Sequence, residues 1–131
     1  VTTTKEFLAH VFRTYGVTPT EYRALYYAQG GRCYVCRKAS GKTRRLGVDH
    51  NHLTGEVRGL VCTGSLNAMT CNRLIAIYGH GMLMRAAAML SEPPPARAVL
   101  QAVRTGDGTS IPYLINPGAT FDIGQVRGVD L

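Results

Sequence analysis

The sequence predicts an α+β domain that is mainly helical, with one small strand hairpin bracketed by cysteines and an irregular C-terminal tail. Three observations predict it. Apolar residues recur at helical spacing before residue 30 and after residue 70. Strand-patterned residues 46–61 lie between the pair Cys33/Cys36 and the pair Cys62/Cys71, and beyond Thr105 the composition turns to glycine, proline and β-branched residues. At 131 residues, 45% of them hydrophobic, the chain suits one domain with a modest core. A core of that size benefits from a staple.

Each element has its own signal. Residues 4–15 carry Phe7, Leu8, Val11 and Phe12 on one face, a short amphipathic helix closed by Gly16. Thr18-Pro19-Thr20-Glu21 reads as a capping box with proline at the first helical position, and Tyr22, Leu25 and Tyr26 continue as an apolar face until Gly30-Gly31. That spacing assigns the tyrosines to packing rather than to base stacking. Residues 37–45 are a polar, basic loop without periodicity. Residues 46–50 and 56–61 then read as two strands, with Leu53-Thr54-Gly55 as the turn, so a hairpin sets Asp49 and His50 at a strand end.

After a loop of small residues at 63–70, residues 71–78 read as a helix stopped by Gly79. Residues 81–90 read as another, whose stripe of Met82, Leu83, Ala86, Met89 and Leu90 suits a core or a dimer surface. Pro93-Pro94-Pro95 breaks the chain, and residues 96–104 form a last helix. The remainder is expected to pack on the body or on a partner, with at most short strands. No internal repeat is visible.

Charge narrows the class of partner. A net charge of +7 and a pI near 9.6 favour an anionic partner such as nucleic acid. Between residues 22 and 90 the only acids are Asp49 and Glu56, among ten Lys and Arg. Arg37, Lys38, Lys42, Arg44, Arg45, Arg58 and Arg73 are the candidates for phosphate contact, against the alternative of a solvated basic loop. The threonine-rich opening lacks the pattern of a signal peptide, and Gly79, His80, Gly81 and Arg85 interrupt the apolar run at 74–90, which is short for a membrane span. The chain is therefore read as soluble and cytoplasmic, with no membrane partner. Thiols stay reduced in that compartment, so four cysteines in two pairs point to metal rather than to disulfides.

Zinc takes four ligands in a tetrahedron, and a C-x-x-C turn presents two thiolates to one ion. Cys33 and Cys36 meet that geometry, and Cys62 and Cys71 converge on it if residues 63–70 loop out. The alternative makes Cys62 a small buried hydrophobe. Asp49 and Asn72 are hard oxygen donors suited to magnesium or manganese. With a cation there, His50 is placed to take a proton from an attacking water. His52 either positions the phosphate or the water, or bonds a backbone group. His10 and His80 lie outside the cluster and are read as structural or surface residues.

The run Cys33-x-x-Cys36, Val48-Asp49-His50-Asn51-His52-x-Thr54-Gly55-x-Val57-Arg58-Gly59-Leu60-Val61-Cys62, then Cys71-Asn72, resembles the phage recombination endonuclease VII family, a branch of the HNH or ββα-metal nucleases. The resemblance covers about residues 15–90. It implies a ββα element around a structural zinc, a magnesium- or manganese-dependent endodeoxyribonuclease, and a homodimer whose two sites face a Holliday junction or other branched DNA. If the chain is phage-encoded, the site of action is the host cytoplasm. The family's metal-binding aspartate falls on Asp49, its general base on His50, its second motif histidine on His52 and its metal-binding asparagine on Asn72. The zinc ligands fall on Cys33, Cys36, Cys62 and Cys71. In the family the second cysteine pair is usually C-x-x-C; here residues 63–70 lengthen it, and Asn67 in that loop is a rival to Asn72. Residues 1–92 form the helical and zinc-bound nuclease domain in this reading, and residues 93–131 a C-terminal helix and tail. The alternatives are a less selective HNH nicking endonuclease that assists phage DNA packaging, and a zinc-stabilised nucleic-acid-binding module without catalysis.

Overall fold

A computed structural model describes residues 2–51, 53–63 and 71–131, with the backbone alone for residues 71–78. The order of elements is α1 (Thr4–Tyr15), α2 (Pro19–Ala28), β1 (Gly47–His50), β2 (Val57–Val61), α3 (Cys71–Met89), α4 (Ala96–Thr105), β3 (Ile111–Pro112), β4 (Thr120–Phe121) and a closing 3₁₀ turn, Ile123–Val126. The class is α+β, with four helices and two small antiparallel sheets among the described residues.

Local chemistry explains the helix ends. Both α1 and α2 open on a reciprocal capping box, Thr3 with Glu6 and Thr18 with Glu21, and Pro19 takes the first turn of α2. Gly16 closes α1 in the left-handed conformation, which costs glycine nothing. Gly79 interrupts α3 with φ 70° and ψ −167°, so the residues read from sequence as two helices share one element with a break.

α2 is the hub, touching α1, β2, α4 and the 3₁₀ turn. Leu25 of α2 is fully buried with Val17, Leu46, Leu60, Val99, Ile111 and Val126, so apolar residues from first helix to last turn share one core. The tail belongs to it: Ile111 and Phe121 pair across β3 and β4, and Tyr27 of α2 packs against both Tyr113 and Phe121. Tyr22 and Tyr26 are buried with their hydroxyls satisfied, donating to the carbonyl oxygens of Leu46 at 2.5 Å and Ser40 at 2.7 Å. They tie the basic loop to α2. Among the described residues no helix is long and apolar enough to cross a membrane.

The outer edge of β2 is closed without a third strand. Gln29, just past α2 and 1% exposed, accepts from the Leu60 N–H at 2.8 Å and donates to the Leu60 carbonyl at 2.9 Å. A side-chain amide thus takes the place of a neighbouring peptide and satisfies a strand edge that burial would otherwise leave orphaned. It also fixes the hairpin's height against α2.

Candidate metal centre and hairpin site

The cysteine turn is shaped by its own backbone. Cys33 N–H donates to the Ala39 carbonyl at 2.8 Å, and Arg37 N–H to the Cys33 carbonyl at 3.1 Å, which folds residues 33–39 into a tight knuckle. Arg37 occupies the left-handed region at φ 62°, unusual for a residue with a side chain, and its Nε donates to the Tyr34 carbonyl at 3.2 Å. Cys62 leaves β2 directly beneath. The sulfurs of Cys33, Cys36 and Cys62 lie within 4.8 Å of one another, and Cys36 to Cys62 is 3.9 Å.

Those three thiols fit zinc. A tetrahedron with Zn–S bonds of about 2.3 Å has S···S edges of about 3.8 Å, close to the observed spacing. Burial and the neighbouring thiols push Cys62 up to about 12. Burial also acts against the Cys36 thiolate, but the N–H groups of Ala39 and Lys38, together with hydrogen bonds from the Cys33 and Cys62 thiols, outweigh it and hold this thiol below its ordinary value. Three thiolates this close repel one another until a cation joins them, so binding and proton release are linked. Cys71, the fourth ligand expected, opens α3, but its side chain lies outside the described residues. The second half of α3 is anchored here as well, since Arg85 Nε donates to the Val35 carbonyl at 3.0 Å.

The hairpin carries the second cluster. Asp49 pairs with Gly59 and His50 with Val57, which leaves Arg58 as the extra residue of a β-bulge. A bulge breaks the strict alternation of faces, and this one falls at the dipeptide that the site depends on. Gly59 permits it twice over. Its φ of 152° is one that side chains rarely adopt, and a Cβ there would stand 2.9 Å from Met89 Cε and 3.3 Å from Gln29 Oε1.

Arg58 reaches across to Asp49, with Nε donating to Oδ2 at 2.7 Å and Nη2 to Oδ1 at 3.3 Å. The pair is partly shielded, the two side chains being 18% and 27% exposed. His50 packs its ring on Tyr15, the last residue of α1, with centroids 5.2 Å apart and planes tilted by 52°. Nothing in the sequence marked Tyr15 as a partner of the histidine. Asn51 makes the turn: its Oδ1 accepts from Leu53 N–H at 2.8 Å and Thr54 N–H at 3.3 Å. Glu56 then binds Arg97 of α4 through two contacts, 2.6 and 2.5 Å long, so α4 braces the turn from behind.

The chemistry of Asp49 suits a hard cation, which keeps most of its waters and needs few protein oxygens. Asn72 lies in the first turn of α3, and its side chain is outside the described residues, as are His52, Asn67 and the side chain of Arg73. His10 and His80 are exposed.

The basic residues divide in two. Arg45 is built into the start of α1, donating to the Thr2 carbonyl and Thr4 Oγ1, both at 3.0 Å, with its guanidinium over Phe7. Lys38, Lys42 and Arg44 are exposed around a cleft of about 340 Å³ floored by Ala39, Gly41, Cys62 and Thr63. Arg44 Nε donates to Thr63 Oγ1 at 3.1 Å, and Lys42 meets the Asp130 carbonyl at 2.7 Å.

Comparison with known proteins agrees with the motif. A family model described as recombination endonuclease VII matches residues 9–90, more than half of the chain. The Gene 59 protein of Mycobacterium phage D29 is 46% identical over 92 residues, which cover 68% of this chain and 52% of that protein. The Gene 59 protein of Mycobacterium phage L5 is 41% identical over the same shares. The chain thus spans about half the length of the curated relatives it matches, and no solved structure matches it. With the cysteine knuckle, the bulged hairpin and the matched segment coinciding, the chain belongs to the recombination endonuclease VII family.

Proposed function

We propose that the chain is an HNH-type DNA endonuclease that hydrolyses phosphodiester bonds in branched DNA, four-way junctions above all. The observation that carries this reading is the placement of Asp49 and His50 side by side at the bulge of a hairpin next to the cysteine knuckle, inside the family-matched segment. His50, steadied by the Tyr15 ring, takes the proton from the attacking water. Asp49, with Asn72, would hold magnesium or manganese, which supplies positive charge for the phosphorane and the departing oxygen. His52 positions the phosphate or the water. Cys33, Cys36, Cys62 and Cys71 would hold the structural zinc.

The cleft bounded by Lys38, Lys42 and Arg44 suits a phosphate backbone, since it gathers exposed cations near Cys62 and Thr63. Arg37, Arg58 and Arg73 remain further candidates for phosphate contact, while Arg45 serves α1 first. Leu83, Met84 and Leu90 are 41%, 55% and 57% exposed on and just after α3, whereas Met82 and Met89 are buried. Such a face supports a homodimer, which paired cuts across a junction require. The site of action is the host cytoplasm.

Incubation of the purified protein with a four-way junction and with linear duplex, in magnesium, in manganese and without added divalent cation, tests the reading. Cation-dependent cutting of the junction in preference to the duplex is expected. Equal cutting of both favours a less selective nicking enzyme, and tight binding without cutting favours a non-catalytic zinc-stabilised module. A monomer at the assay concentration contradicts junction resolution.

A further inference from the structure

Arg58 engages both oxygens of Asp49, one through Nε and the other through Nη2. A divalent cation would bind those same oxygens and its charge repels the guanidinium, so the two compete for one carboxylate. Between residues 22 and 90 the only other acid is Glu56, and Arg97 already holds it through two contacts. Within that segment, an Arg58 displaced from Asp49 has no second carboxylate to turn to. The anion that fits its planar fork is a phosphate of the DNA.

We infer that Arg58 is a resident counter-ion that couples cation binding to DNA binding, holding Asp49 until a backbone phosphate draws the guanidinium away. The inference rests on the reading of Asp49 as a cation ligand. The bulge makes it specific, because Arg58 is the residue that the register shift inserts opposite the Asp49-His50 step. Two states follow, with Arg58 on Asp49 or Arg58 on phosphate. Each ligand favours the state the other requires, so by linkage the cation and the DNA tighten one another's binding. Arg58 is a positioning residue in this scheme, acting on the cation through Asp49.

Two affinities of the zinc-loaded protein test it. In a manganese titration without DNA, Arg58→Gln should bind the cation about fivefold tighter than wild type, the scale of a partly exposed ion pair. Arg58→Lys, which keeps the charge and loses the fork, should fall between them, and Asp49→Ala should lose the site. In duplex binding without divalent cation, Asp49→Ala should bind about fivefold tighter than wild type by releasing Arg58 to the phosphate, and this gain should vanish in the Arg58→Gln background. A purely structural role for Arg58 leaves manganese binding unchanged or weakens it, and that result, with Asp49→Ala still losing the site, overturns the inference alone. A gain that survives in the Arg58→Gln background overturns it too, because mere loss of a negative charge then explains it. Unaltered manganese binding in Asp49→Ala overturns both the inference and the reading beneath it. Thermal melts of all five proteins, the double variant included, verify that each is folded when titrated.

Discussion

The cysteine knuckle and the Asp49-His50 step differ in how deeply their donor atoms are buried and in the partners those atoms keep. Cys33 and Cys36 are buried, Cys62 is half-buried, and the three sulfurs converge within 4.8 Å of one another, with the backbone N–H groups of Lys38 and Ala39 beside Cys36. Asp49 is more open and already has a guanidinium on both oxygens. A group of soft donors that is mostly buried is suited to keep its ion for the life of the fold. A hard donor at an accessible edge, held by a displaceable partner, is suited to exchange. The contrast in burial and partners supports the proposal of a stabilising centre at the knuckle and a working one at the hairpin.

The largest effect should come from the knuckle. Removing zinc, or Cys36→Ser, forfeits binding free energy on the order of 10 kcal/mol. The expected outcome is loss of the cooperative thermal transition in circular dichroism together with loss of bound zinc. A metal-free chain that melts at the wild-type temperature would show that the apolar core needs no staple. Next is Gly59→Ala, which forces a side chain into a φ of 152° and against Met89. It should cost about 3 kcal/mol in urea unfolding and impair cleavage, because the bulge presenting Asp49 and Arg58 depends on that glycine.

Much of the fold was legible because its signals are local. The Thr18 capping box, Gly16, the apolar strand residues of 56–61 with the turn at 53–55 before them, and the break at Gly79 all act within one or two turns of chain. The contacts that orient the site are not local, and sequence periodicity is blind to them. Gln29 to Leu60, Arg97 to Glu56 and Arg104 to Glu21 join residues 31, 41 and 83 positions apart. Arg45 shows the same limit from the other side. In sequence it is one more base in a phosphate-binding loop, but folding brings it to Thr2 and Thr4. The donor types at Asp49, His50 and the cysteines were readable from the motif, whereas Tyr15 and the Arg58 bond required coordinates.

Smaller effects sharpen the comparison through the scaffold shared by both centres. Glu21 is buried, which by itself raises its carboxyl, but the bonds from Arg104 and the Thr18 N–H prevail and hold it below its ordinary 4.5. A depressed folded value stabilises the protein above the unfolded one, and that contribution is lost as pH falls through the folded value. Arg104→Ala should therefore cost about 1 kcal/mol near neutrality, discounted because the arginine is half exposed. The difference from wild type should shrink in urea titrations below about pH 4.5. A difference independent of pH would mean that the ion pair is not its source. Tyr15→Leu keeps apolar bulk beneath His50 and removes the aromatic contact, so it should lower the cleavage rate about fivefold with little change in DNA affinity. An equal loss in DNA affinity would make Tyr15 part of the binding surface instead.

The central claim is that Asp49 and His50 do chemistry on DNA rather than merely complete a hairpin. Its most direct test is magnesium-dependent cleavage of a four-way junction by wild type, Asp49→Ala and His50→Ala, with zinc content and melting temperature measured on the same samples. Both variants should keep their zinc and their fold, still bind the junction, and cut it at least about a hundredfold more slowly. Cutting at the wild-type rate by both folded variants would contradict the account.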